Sequence, residues 1–225
     1  MSSSWFDQAV AVFQKEVRTE FRSKHGLFTA GMFGVLTVLT MVFSVYVEKP
    51  SPLIASGMLV VALVFAAVST LPRTLIIEDE QGTFELLMLL SEPSAAFFGK
   101  AVFNALHMLF ASLILGVVFV AMVDLPVESI PMFVLGLASL ALALAGGTSF
   151  CGGLVLGAAN RWILAGVVSL PLLVPVVFLG VGVLQAGLGS GFDQQGAQSL
   201  VALAGYALVT LSAGPMLIGQ VWKND

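Results

Sequence analysis

PRTLIIEDEQGTFELLMLLSEPSAAFFGK, residues 72–100, interrupts a chain that is otherwise apolar almost throughout. Glu78, Asp79 and Glu80 stand in a row, a Gly82-Thr83 step follows, and Glu85 precedes a run of large aliphatics. The stretch is too polar to cross a bilayer and too apolar to be a solvated linker. Phe84, Leu87, Met88 and Leu90 fall on one side of a short helix starting near Thr83, and Glu85 falls on the other. Gly82 separates this helix from the acidic turn, and Pro93 marks its end. Acids ahead of a helix favour its positive end. Such a helix suits docking into a groove of another protein, or resting at a lipid interface.

Outward from this stretch, composition sets the solvent. The chain has 225 residues, 58% hydrophobic and 10% charged, with a mean hydropathy of +1.03. A soluble domain carries about 25% charged residues, so this chain lacks the polar groups to cover a core, and lipid is the expected cover. Six stretches free of Asp, Glu, Lys and Arg are long enough to cross about 30 Å of hydrocarbon: Leu27 to Val47, Leu53 to Leu71, Ala101 to Val123, Met132 to Gly157, Ile163 to Leu184 and Ser199 to Gly219. Each is expected to be helical, because unpaired backbone groups are costly in lipid. The breaks EKPSP (48–52), DLPVESIP (124–131), AANRW (158–162) and QAGLGSGFDQQGAQ (185–198) carry turn chemistry.

Residues 4–25 predict a helix ahead of the first span. Ser4 suits its cap and Asp7 its first turn. Trp5, Ala9, Val12, Phe13, Val17 and Phe21 make one apolar stripe, with Lys15, Glu16, Arg18, Glu20, Arg22 and Lys24 mostly off it. This predicts an interfacial helix on the cytoplasmic surface, as an anchor for the first span or also as a partner surface. The first span is too long for a secretory signal, and no small-residue cleavage site follows it. With the N-terminus inside, Lys15, Arg18, Arg22, Lys24, Arg73, Lys100, Arg161 and Lys223 are cytoplasmic and only Lys49 is outside, which puts both termini in the cytoplasm. The net charge of −4 says little about partners. The lone Cys151 cannot form an intrachain disulfide and is silent on redox compartment.

Glu80-Gln81-Gly82-Thr83-Phe84-Glu85-Leu86-Leu87, with Pro93 and Gly99-Lys100 after it, resembles the E-x-G-T-x-E-x-L…P…GK segment of ABC-2-type permeases, the membrane subunits of one class of ATP-driven exporters. The resemblance covers essentially the whole chain and is closest to the CcmB family of cytochrome c maturation. Leu86-Leu87-Met88-Leu89-Leu90 before Pro93, Leu170-Pro171-Leu172-Leu173-Val174-Pro175 in span five, and a short chain with no fused ATPase carry it. The implied fold is an all-α membrane protein with six transmembrane helices, an N-terminal amphipathic interfacial helix (residues 1–26) and a permease domain (27–225), whose loop 72–100 holds a cytoplasmic coupling helix. The implied partners are a CcmA-like cytoplasmic ATPase, a second copy of the chain, CcmC-like and CcmD-like membrane proteins and the CcmE-like haem chaperone. Nucleic acid is not among them. The implied location is the bacterial inner membrane. The implied output is haem export or ATP-driven release of the haem-loaded chaperone, with haem as a candidate substrate; ATP enters through the partner, and the chain itself is expected to bind no cofactor. Glu78, Glu80, Gly82, Thr83, Phe84, Glu85, Leu87 and Met88 would form the ATPase-docking segment.

The residues agree with this class. No G-x-x-x-x-G-K-[ST] occurs, so the chain is not expected to hold nucleotide or to act as an enzyme by itself. Ionisable groups inside the spans are confined to His107, which favours a partner ATPase over a gradient-driven carrier. His107, beside Asn104, is a candidate haem contact or a hydrogen-bonded packing residue; His25 reads as interfacial. No metal site is expected, and no C-x-x-C-H or H-E-x-x-H occurs. Gly153 and Gly157, one turn apart among the small residues of span four, predict close helix packing, with a path lining as the alternative. Pro171 and Pro175 predict a bend in span five, as a hinge or as a packing feature. Charge reversal at Glu85, or Leu87→Asp, is expected to release the ATPase. The alternatives are a non-transporting scaffold for cytochrome assembly, a permease of another ABC-2-type exporter, or a secondary carrier working without any ATPase.

Overall fold

The computed structural model describes residues 4–23, 25–45, 48–70, 75–156, 158 and 160–221. Among them the regular structure is helical: α1 (Trp5–Ser23), α2 (His25–Ser44), α3 (Pro52–Val68), α4 (Leu75–Glu80), α5 (Phe84–Leu90), α6 (Pro93–Val123), α7 (Ile130–Leu154), α8 (Arg161–Gln185) and α9 (Gln194–Val221). Four helices are long and apolar enough to cross a membrane, namely α6, α7, the helix running from Ile163 to Ser190, and α9. The first two expected spans are shorter as apolar helices, over Gly31–Ser44 and Pro52–Val68. The expected ends at Val47 and Leu71, and Lys24, Arg73 and Lys223, lie outside the described residues.

Helix ends follow local chemistry. Ser4 and Asp7 form a reciprocal cap on α1, with the Asp7 N–H donating to Ser4 Oγ at 3.2 Å and Ser4 Oγ–H to Asp7 Oδ2 at 2.8 Å. Ser51 caps α3 and Ser129 caps α7, each with proline in the first turn. The third expected span begins earlier than read: α6 starts at Pro93, which both follows the end of α5 and opens the next helix. The break expected at 185–198 is also partly helical. After α8 the chain makes one π turn over Ala186–Ser190, and Gly191, at φ 71°, ends it. The carbonyl of Gly187 accepts the Ser129 N–H at 3.1 Å.

The main core sits where α3, α6, α7, α8 and α9 meet, around Leu59, Leu63, Met108, Leu115, Leu140 and Leu144. Helix α7 is its centre, and its small residues admit neighbours closely. Among the glycines of α7 the tightest approaches are at Gly146 and Gly147. A Cβ on Gly146 would lie 2.5 Å from Thr210 Oγ1, and one on Gly147 would lie 3.2 Å from the Tyr206 hydroxyl oxygen. Gly153, where close packing was expected, is buried but meets Ile218 at an ordinary 3.6 Å. The close contact falls two turns earlier because α9 presents Thr210 and Tyr206 there. Gly157 lies outside the described residues. Helix α8 runs through both Pro171 and Pro175. Each proline removes a backbone donor, and beside them the Tyr206 hydroxyl of α9 donates to the Leu172 carbonyl at 2.8 Å. Large apolar side chains such as Val117, Phe178, Leu208 and Met216 point outward, each at least two-thirds exposed. That surface is what a bilayer covers.

Candidate functional site

The short helices of the opening stretch are held by their own turn. Gly82 takes a left-handed φ of 66°, and the Thr83 N–H donates back to the Glu78 carbonyl at 2.9 Å. That bond closes α4 in the manner of a Schellman cap. Thr83 then serves Glu78 a second time, its hydroxyl donating to Oε2 at 2.6 Å. Gly and Thr at this spacing are therefore what the turn requires: one for backbone freedom, the other to fix the acid.

Glu78 is the centre of a buried ionic cluster. The Lys100 ammonium donates to Glu78 Oε1 at 2.9 Å and to Glu16 Oε1 at 2.6 Å, and Lys15 pairs with the same Glu78 oxygen. The side chains of Glu78, Lys100 and Glu16 are 4%, 6% and 11% exposed. Two carboxylates and two ammonium groups balance formally, which is how charges survive away from water. Burial alone would raise the Glu78 carboxyl. The Lys100 charge and the hydrogen bonds from Lys15, Thr83 and Lys100 outweigh it and hold Glu78 down at about 2.

Three elements meet in this cluster: α1 through Lys15 and Glu16, α4 through Glu78, and the base of α6 through Lys100. Gly99 allows the approach. A Cβ there would lie 2.7 Å from the Ala9 carbonyl oxygen and 2.8 Å from Val12 Cβ. The joint extends toward the start of α6, where Gln8 Oε1 accepts the Glu92 N–H at 2.7 Å and Trp5 Nε1–H donates to Ser94 Oγ at 2.8 Å. Behind it Val12, Leu75, Phe84, Leu87, Ala96 and Phe97 share an apolar cluster. The stripe of α1 thus packs on α6 through Val12, while Phe6 and Phe21 stay exposed.

Sequence reasoning named Glu78, Gly82 and Thr83 but not Lys15, Glu16, Gly99 or Lys100 as site residues. Glu16 belongs by pattern to the residues mostly off the α1 stripe, yet it follows the buried Val12 by four residues and so shares its face. That spacing, and a lysine at the entry to a span, were the available signals.

Within α5, Phe84 and Leu87 are buried, Met88 is half-buried, and Glu85, Leu86, Leu89 and Leu90 face outward. The side that packs inward is the Phe84–Leu87 side, so the surface open to a partner is Glu85, Leu86 and Leu89. Leu90, read with the packed side, is exposed. The side chain of Glu80 lies outside the described residues.

Asn104 is turned onto α7, its amide donating to Thr148 Oγ1 at 2.9 Å, Ser149 Oγ at 3.1 Å and the Ala145 carbonyl at 3.2 Å. His107, one turn on, is buried beside Phe103 with ring centroids 6.3 Å apart. No group of three or more metal-ligating side chains occurs among the described residues. On the opposite end of α6, Asp124 closes the helix in the left-handed region, and Lys49 donates to its carboxylate at 2.6 Å. That hydrogen bond lowers the Asp124 carboxyl below its ordinary value.

Apolar helices of spanning length and a lipid-type surface, with a charge-latched helical foot at one end, define a multi-span membrane protein. Compared with curated proteins, the chain matches none. The profile of the family described as CcmB protein matches residues 7–223, nearly the whole chain, and the chain belongs to that family. Membership makes it a component of the membrane part of the haem-export ABC system of cytochrome c biogenesis.

Proposed function

We propose that this chain is the permease subunit that receives force from a separate cytoplasmic ATPase. The ATPase docks on the outward side of α5, and the Glu78–Lys100–Glu16 cluster passes its movement to α6 and α1. That cluster is the observation that carries the reading, because a short helix on a free loop would absorb a push, whereas one bonded to the base of a membrane helix transmits it. In this reading α2 and α3 are the remaining two of six spans. The 17 residues of α3 measure about 26 Å at 1.5 Å per residue, close to the hydrocarbon thickness.

The topology in this reading has both termini and the cluster in the cytoplasm and the Lys49–Asp124 pair outside, in the bacterial inner membrane. The working unit is a homodimer of ABC-2 type with a CcmA-like ATPase, CcmC-like and CcmD-like membrane proteins and a CcmE-like haem chaperone. Its output is haem export or ATP-driven release of the loaded chaperone. The chain contributes no nucleotide site and no resident cofactor.

Co-purification tests the docking. Leu87 is buried, so Leu87→Asp would disturb folding as well as docking; Glu85→Lys and Leu86→Asp act on the outward face alone. Both are expected to abolish ATPase co-purification while leaving membrane insertion intact, and unchanged co-purification contradicts the reading. The complex in liposomes then separates the outputs: ATP-dependent movement of a haem-like solute marks transport, and chaperone release without solute movement marks remodelling.

A further inference from the structure

Helix α8 is built differently in its two parts. From Val176 on it is locked in place. Val176, Val183 and Leu184 are fully buried, a Cβ on Gly180 would lie 2.9 Å from Leu140 Cδ1 of α7, and one on Gly136 of α7 would lie 3.2 Å from Val183 Cγ2. Before that point the helix is weak. Gly166 lowers helix propensity, and a Cβ there would meet nothing within 4 Å. Ser169 turns its hydroxyl back onto the Gly166 carbonyl at 2.9 Å, a bond of the kind that bends helices. Pro171 and Pro175 bring no N–H, so the carbonyls of Val167 and Pro171 lose their helical donors. Ile163, Val167 and Leu170 in this part are each at least 60% exposed.

In the middle of the weak stretch a bond crosses to α9: the Tyr206 hydroxyl donates to the Leu172 carbonyl at 2.8 Å. Gly147 of α7 makes room for it. A Cβ there would lie 3.1 Å from Leu173 Cδ2 and 3.2 Å from the Tyr206 hydroxyl oxygen. Hydrogen bonds between membrane helices tie them together in this way.

We propose that residues 166–175 are a hinge in α8 and that the Tyr206–Leu172 bond is its clamp. With the clamp closed, the first part of α8 is held to α9. With the clamp released, that part swings while the part from Val176 on stays seated on α7. The two prolines then serve movement rather than the fit of the bundle. The hinge belongs to α8 itself and does not depend on where the ATPase docks.

Electron–electron distance measurement on the full chain in nanodiscs tests this. In a Cys151→Ser background, one nitroxide is placed at Leu106→Cys on α6. The second is placed at Ile163→Cys, before the hinge, or at Phe178→Cys, after it; all three positions are exposed. With Tyr206 present, each pair is expected to give a single narrow distance distribution. Tyr206→Phe keeps the ring and removes the bond. It is expected to broaden the Leu106–Ile163 distribution several-fold and to leave Leu106–Phe178 unchanged. Adding Pro171→Ala and Pro175→Ala, which restores the missing donors, is expected to narrow the distribution again. An unchanged Leu106–Ile163 width in Tyr206→Phe would overturn the proposal. Equal broadening of both pairs, or broadening that survives replacement of the prolines, would make the bond a packing contact and overturn it as well.

Discussion

The Lys100 ammonium lies 2.9 Å from Glu78 Oε1, with both side chains almost fully buried. One residue sits at the foot of a 31-residue helix, the other on a six-residue helix two short elements earlier. Their bond makes the segment before α5 mechanically part of α6.

Removing the cation exposes what it balances. Lys100→Met leaves Glu16 and Glu78 buried with Lys15 alone, and breaking a buried pair in this way costs about 3–5 kcal/mol. The expected result is a large fall in the thermal midpoint of the detergent-solubilised chain and faster proteolysis of residues 75–92. A midpoint equal to the native one would show that the cluster does not hold the foot.

Gly99 tests the α1–α6 joint by shape alone. In Gly99→Val the new Cβ meets a backbone carbonyl of α1 that cannot yield cheaply. Overpacking of this kind costs about 1–3 kcal/mol, and α1 is expected to lift from α6. Loss of protection of residues 5–23 in hydrogen exchange, with α7 to α9 unchanged, would show it.

The Glu78 carboxyl gives a pH signature. Its folded value of about 2 lies below the ordinary 4.5, so its contribution is fully present above 4.5 and is lost as pH falls from there toward 2. Protection of residues 75–90 is expected to be level from neutral pH down to that upper value and to decline below it. In Glu78→Gln that acid-dependent decline should disappear.

Asn104 separates packing from cargo contact. Its amide bridges α6 to α7, and hydrogen bonds of this type are each worth about 1 kcal/mol. Asn104→Leu is therefore expected to lower stability modestly. Unchanged stability with lost export would instead mark a cargo contact.

Much of this was legible in the sequence because the signals were local. Long runs without charge gave the helices, Ser4 and Asp7 the first cap, and Gly82 the turn. What escaped was set by packing between distant segments. The burial of Glu16 depends on α1 lying against α6, which a helix pattern alone does not reveal beyond the four-residue step from Val12. The pattern groups Phe84 and Leu87 on one face and reads that face as the docking side, whereas it packs on Leu75, Ala96 and Phe97 of the same chain, a contact between segments that a helix pattern does not carry. The tight glycines are Gly146 and Gly147 rather than Gly153, because a small-residue run shows that contact is close without showing where the neighbouring helix puts Thr210 and Tyr206.

The account stands on the side of the membrane that the foot faces. Glu85→Cys in a Cys151→Ser background, treated with a membrane-impermeant maleimide, measures it, with Lys49→Cys as the opposite marker. Labelling of Glu85→Cys in inside-out vesicles only, and of Lys49→Cys in right-side-out vesicles only, is the predicted result. Labelling of Glu85→Cys from the outer face would contradict it.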